Sequence, residues 1–116
     1  MRIIEVVPYH NSWPEIFGNE KELILNSIPV ENIVVHHIGS TAVKELAAKP
    51  IIDILLEIDD VAILDSVESC FEKIGYECKG EFGIQGRRYF QKGGDSRSHQ
   101  IHAFQRGSND VIRHLA

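Results

Sequence analysis

Two apolar runs flank a small-residue turn in the middle of the chain: NIVVHHI at 32–38 and IIDILLEI at 51–58, with GSTAVKELAAKP between them. Each run has the length of a strand and is rich in β-branched residues, so both are read as strands. Alternation puts Ile33, Val35 and His37 on one face of the first strand and Val34, His36 and Ile38 on the other. The two histidines therefore point opposite ways, and at most one faces a given site. In the second strand Asp53, Leu55 and Glu57 share a face; at a rise of roughly 3.3 Å per residue the two carboxylates lie about 13 Å apart and cannot clamp one ion. The intervening segment predicts a short helix from about Thr41 to Ala48, which Pro50 forbids from continuing.

Upstream, residues 2–8 read as a short strand or extended lead-in ending at Pro8. Ser12-Trp13-Pro14-Glu15 matches a capping box, which predicts a helix to about Ser27 with Phe17, Ile24 and Ile28 along its apolar face. Downstream, Asp59 or Asp60 caps an amphipathic helix that turns Val61, Leu64, Val67, Phe71 and Ile74 inward and stops at Gly75. Three further strands are expected at 76–82, 87–92 and 100–105, joined as hairpins by Gly-rich or Gly-Asp-Ser turns. Ser108 opens a last helix through Asn109, Asp110, Val111, Ile112 and Leu115. The order of elements predicts an α/β (α+β) fold in a single domain spanning residues 1–116.

Composition narrows the partners more than the fold. With 43% hydrophobic and 25% charged residues in 116, the chain can build an ordinary globular core. A formal charge of −5 argues against a protein that grips bulk nucleic acid through its backbone and favours a small molecule or a locally recognised partner. The start, MRIIEVVPYHNSW, lacks the pattern of a signal peptide, and no apolar run approaches the roughly 18 residues needed to span a membrane; a cytoplasmic protein is the expectation. Cys70 and Cys78 are not at metal-ligand spacing and read as reduced core residues.

The chemistry concentrates in the central segment. Gly39 lets the backbone turn sharply and approach a ligand, while Ser40 and Thr41 can cap the following helix, whose first amides lack partners. Such a turn suits an anion. Asp53 sits within an apolar run where an unpaired carboxylate is costly, so a partner is expected, a cation among the candidates. A phosphate-holding turn followed by a carboxylate on the next strand is the minimal apparatus for chemistry on a nucleotide. Lys49, Arg87 and Arg88 are candidates to reach phosphate, with the two arginines on opposite faces of their strand. His102 is a candidate general base or ligand for a softer metal, and His99 shares its face only if a bulge intervenes.

Four segments resemble the GrpB (UPF0157) family, whose fold is similar to the nucleotidyltransferase superfamily. They are Pro8-Tyr9 with Trp13-Pro14 and Phe17; His37 to Thr41 with Leu46 to Ile54; Arg87 to Gly93; and Ser98-His99, Ile101-His102 and His114-Leu115. The resemblance implies a mixed central sheet of about five strands flanked by helices, and a domain lacking the family's C-terminal helices. It implies nucleotidyl transfer to an unknown acceptor, with Gly39, Ser40, Thr41, Lys49, Arg87 and Arg88 holding the phosphates of a nucleoside triphosphate. Asp53, with His102, would hold magnesium or manganese. The superfamily's second carboxylate falls on Leu55, which cannot ligate, and Lys44-Glu45 replaces the family's usual Pro-Gly. The alternatives are a non-catalytic module for a nucleotide or phosphorylated metabolite, and a metal-dependent hydrolase or phosphoesterase using Asp53 and the histidines. A second copy of the chain, as a homodimer, is a further candidate partner.

Overall fold

Five strands form one mixed sheet in the computed structural model, which describes residues 6–43, 49–94 and 97–115. In chain order they are β1 (Val34–Ile38), β2 (Ile52–Ile58), β3 (Tyr76–Cys78), β4 (Arg88–Lys92) and β5 (His99–Gln105), and their spatial order is β1-β2-β5-β4-β3. The β2–β5 pair is parallel and the other three are antiparallel. A parallel pair needs a crossover. Here residues 59–98 supply it, through a 3-10 segment Val61–Val67, helix α2 (Glu68–Lys73) and the β3–β4 hairpin.

The register divides the sheet into two unlike faces. Ile52, Ile54, Leu56 and Ile58 of β2 join Val35, Ile101, Ala103, Phe90 and Tyr76 in the main core. Helix α1 (Trp13–Ser27) and α2 cover that face with Trp13, Ile24 and Phe71, and Phe71 stacks on Phe90 at 4.1 Å between ring centroids. The opposite face carries Asp53, Leu55, Glu57, Gln100, His102, Phe104, Tyr89 and Gln91, so it is largely polar. Helix α3 (Asn109–Leu115) packs there through Val111, against Ile38, Leu55 and Phe104. Ser108 Oγ accepts from the Val111 amide at 3.3 Å, the cap expected for this helix.

Several local expectations are corrected. Ser12 precedes α1 in a helical conformation and makes no side-chain cap; its hydroxyl pairs with His10 Nδ1 at 2.6 Å instead. The helix expected over residues 60–74 is a 3-10 segment followed by a short α-helix. Asp60 caps it by accepting from Ala62 N at 2.9 Å, and Ser66 Oγ donates back to the Ile63 carbonyl, a bond that competes with regular α geometry. The strand expected to reach Phe82 ends at Cys78, because Gly80, Phe82 and Gly83 all have positive φ and cannot extend. Residues 44–48, most of the helix predicted after Thr41, and residues 2–5 of the predicted lead-in lie outside the described residues.

One charged cluster is built into the core side. Glu20 of α1 is buried and accepts from Tyr76 Oη at 2.6 Å and Lys92 Nζ at 2.7 Å, with His99 Nε2 at 3.7 Å from its other oxygen. It ties α1 to three strands. Removing the carboxylate in Glu20→Ala leaves an ammonium and a phenol without an acceptor, and should destabilise the fold by about 2–3 kcal/mol. Tyr76→Phe should cost only about 1 kcal/mol. Urea unfolding of both variants checks the order.

Candidate functional site

The bend after β1 lies directly against Asp53. Gly39 has φ +75°, and a Cβ there would come within 2.7 Å of Asp53 Oδ2. Glycine is thus required twice, by the left-handed backbone and by the carboxylate beside it. Ser40–Ala42 then form a single 3-10 turn, with the Ala42 amide donating to the Gly39 carbonyl at 3.1 Å. Thr41 points inward and is buried; its hydroxyl donates to the Ile51 carbonyl at 3.4 Å and contacts His37 Nε2 at 2.9 Å. Since the hydroxyl has one proton, His37 Nε2–H is the donor to Thr41. His37 also stacks on Phe17 at 4.7 Å, and burial holds its pKa below the ordinary imidazole value against the pull of Asp53. Thr41 thus braces the bend from beneath.

Asp53 is neither enclosed in hydrocarbon nor paired with a lysine. Its side chain is 29% exposed, and its partners come from β5. Parallel pairing sets Gln100 opposite Asp53. With its amide oriented to satisfy its neighbours, Gln100 donates to Asp53 Oδ1 at 2.9 Å, while its oxygen accepts from Arg97 Nη1 at 3.2 Å and Tyr89 Oη at 3.3 Å. The guanidinium of Arg97 therefore stands one amide away from the carboxylate. Its Nε is buried and finds no hydrogen-bond partner among the described residues; the same is true of Oε1 of Gln91, the register partner of Gln100 in the β4–β5 pair, and of Nε2 of His99 on the core side. Buried polar atoms of this kind are few in folded proteins, and each calls for a partner.

His102 stands next along the same face. Arg87 Nη1 donates to His102 Nδ1 at 3.4 Å, so the imidazole proton is on Nε2, which is 3.5 Å from Asp53 Oδ1. Arg87 is itself buried, donating to the carbonyls of Glu81 and Phe82 at 3.2 and 2.8 Å and lying over the Tyr89 ring. It pins the glycine-rich loop 79–87 to the site. The surroundings of Asp53 are accordingly cationic or proton-bearing, in a chain whose net charge is −5.

Other candidates lie elsewhere. Arg88 is on the core face and forms a two-point pair with Asp65 at 2.8 and 3.1 Å. His99 also faces the core side, because β5 runs from 99 to 105 in unbroken register and no bulge turns it. Lys49 is exposed in the turn before β2, where its carbonyl accepts from the Ile51 amide. The side chain of Ser40 lies outside the described residues. Arg97 and Gln100 are the site residues that the sequence did not single out, because only the β2–β5 register brings them to Asp53.

The donor set bears on the expected magnesium or manganese. Leu55 is fully buried against α3, and Glu57 further along the same face is paired with His36, so the Gly39 end presents one carboxylate, Asp53, with His102 beside it. Among the described residues no three His, Cys, Asp or Glu side chains group as a metal site. These donors suit an ion that arrives already liganded by phosphate oxygens better than one held by protein alone.

The GrpB family model, described as GrpB protein, matches residues 3–116. The chain is 43% identical over 114 residues to UPF0157 protein YqkA of Bacillus subtilis, covering 98% of this chain and 33% of that protein. It is 34% identical to UPF0157 protein BH1888 of Halalkalibacterium halodurans, covering 97% and 57%. The crystal structure of conserved protein GrpB from Enterococcus faecalis superposes with a TM-score of 0.90 at 42% identity, over 96% of this chain and 68% of that one. The chain thus spans between a third and three fifths of these two curated relatives. No helix among the described residues is long and apolar enough to cross a membrane.

Two measurements test the site's construction. Gly39→Ala should cost about 1–2 kcal/mol from its left-handed backbone, plus the crowding of Asp53; Gly83→Ala, with φ +87° and open space around its Cβ, should show the backbone cost alone. Thermal unfolding of the pair reads the difference. For His37 and His99, burial leads in holding the folded pKa below 6.5. Below that pH the unfolded chain takes up protons that the folded chain refuses, so stability is full above about pH 6.5 and falls as pH drops toward the folded values. Urea midpoints at pH 7.5 and 5.5 should show the lower stability at 5.5.

Proposed function

The chain belongs to the GrpB family, and from that premise we propose that the Gly39 end of the sheet binds the phosphate of a small molecule, a nucleotide or a phosphorylated metabolite. The observation that carries this reading is the buried Nε of Arg97, without a partner among the described residues, one amide away from a carboxylate that lies against a left-handed glycine bend. A phosphate at the bend would accept from Arg97 and from backbone amides of the Gly39–Thr41 turn. Asp53 and Gln100 hold the Arg97 side of the site in place, and Gln91 offers an acceptor to a hydroxyl of the ligand.

Nucleotidyl transfer is a second reading, favoured by the partial exposure of Asp53. A magnesium ion bound there would polarise the phosphate under attack. Asp53 would hold it together with the substrate's own phosphate oxygens. His102 is less suited to the role of general base, since Nδ1 accepts from Arg87 and Nε2 carries the proton. A hydrolase built on several histidines has less support: His10 bonds Ser12, His36 pairs with Glu57, and His99 faces the other side of the sheet.

Calorimetric titration with ATP, GTP, CTP, UTP and inorganic triphosphate, each with and without magnesium, tests these readings. Phosphate binding predicts saturable association that Arg97→Ala weakens by about tenfold or more. Binding that needs magnesium and disappears in Asp53→Ala, with pyrophosphate release, supports transfer. Binding that survives Asp53→Ala without metal supports the non-catalytic module. Absence of saturable binding to every compound overturns the proposal.

A further inference from the structure

Beside α3 the polar face opens into a cavity of about 390 Å³ lined by Ile84, Phe104, Asp110, Arg113 and His114. None of these residues belongs to the phosphate end, but strand β5 runs from one to the other. Gln100, His102 and Phe104 are alternate residues of β5 and share one face, so Phe104 lies four residues, about 13 Å, from the position opposite Asp53. Aromatic rings line the way. His114 is 5.2 Å from Phe104 and 5.7 Å from His102 between centroids, and His102 is 5.4 Å from Tyr89.

We infer that this cavity is a subsite for a flat nitrogen heterocycle, the base of a nucleoside phosphate whose phosphates lie at the Gly39 bend; the inference rests on the phosphate-binding reading above. Three features fit such a ring. Its volume is in the range of small-molecule sites, and an apolar floor with a few polar groups is their usual lining. Phe104 and Ile84 supply the apolar surfaces, and the loop bearing Ile84 is pinned by the buried guanidinium of Arg87.

The third feature is a defined acceptor. His114 Nδ1 is 2.7 Å from the Asp110 carbonyl, which can only accept, so Nδ1 carries the proton and Nε2 is left as an acceptor for a ring N–H or amino group. The spacing adds a length requirement. A ligand that touches both ends must cover at least the four strand residues from Gln100 to Phe104, about 13 Å; a nucleoside di- or triphosphate is extended enough, and a sugar phosphate is too short.

The test compares ATP, inorganic triphosphate, ribose 5-phosphate and adenosine by calorimetry, with ¹³C and ¹⁵N NMR shifts at Ile84 and His114. Ile84→Glu and His114→Ala alter exposed or half-exposed positions, and their folding is checked by circular dichroism. ATP should bind about tenfold more tightly than inorganic triphosphate. Both variants should remove that advantage and leave triphosphate affinity unchanged, and adenosine should shift Ile84 and His114. If ATP and triphosphate bind equally, with no shift at either residue, the base subsite is overturned while phosphate binding stands. If adenosine shifts these residues but no phosphate compound binds at the Gly39 end, the base subsite survives and the phosphate reading fails. If neither occurs, both fall.

Discussion

The parallel pairing of β2 with β5 is the constraint on which the site depends. It joins residues nearly half the chain apart and sets Asp53 opposite Gln100 and Leu55 opposite His102. Because side chains alternate with a period of two, a slip of one residue would send Asp53 and Glu57 into the main core and bring Ile54 and Leu56 to the polar face. The branched apolar residues of β2 forbid that slip energetically: Ile52, Ile54, Leu56 and Ile58 are all buried with α1 and α2. Hydrophobic register on one face therefore positions the polar chemistry on the other.

The same register explains how the polar residues share work. At the start of β4, Arg87 and Arg88 are neighbours in sequence with opposite duties. Arg87 holds loop carbonyls and orients His102, while Arg88 closes the outer edge of the core side against Asp65. On β5, His102 and His99 separate in the same way, and His99 joins the Glu20 cluster. Besides the Arg88–Asp65 pair at the edge, charge on the core face gathers in that cluster, where the Glu20 carboxylate accepts from Tyr76 and Lys92.

Much of this was legible in the chain. Alternation in 32–38 and 51–58 marked two strands, opposed His36 to His37, and placed Asp53 beside a glycine turn. Less accessible was everything set by pairing between distant strands. Nothing local to Arg97 or Gln100 announces that they meet Asp53, since their meeting follows from a register fixed by apolar residues elsewhere. The failed capping box at Ser12 and the broken helix at 60–74 have a different origin: His10 and Ile63 offer the serine hydroxyls of Ser12 and Ser66 competing local partners, which outweigh the generic preference of their positions.

Leu55 shows how packing and chemistry are decided together. The nucleotidyltransferase resemblance would ask for a carboxylate there, two residues from Asp53 and on its face. That position lies beneath α3, enclosed by Ile38, Phe104 and Val111, with no exposed surface. A carboxylate in that enclosure would have to give up hydration without a compensating partner, at a cost of several kcal/mol. Leucine instead makes the seat on which α3 rests, and α3 in turn carries His114 and Asp110 to the cavity. The residue that leaves Asp53 without a second carboxylate beside it is thus the one that lets this helix shape the far end of the same face. A site with a single carboxylate and a docked α3 is one physical solution rather than a two-carboxylate site with a part missing.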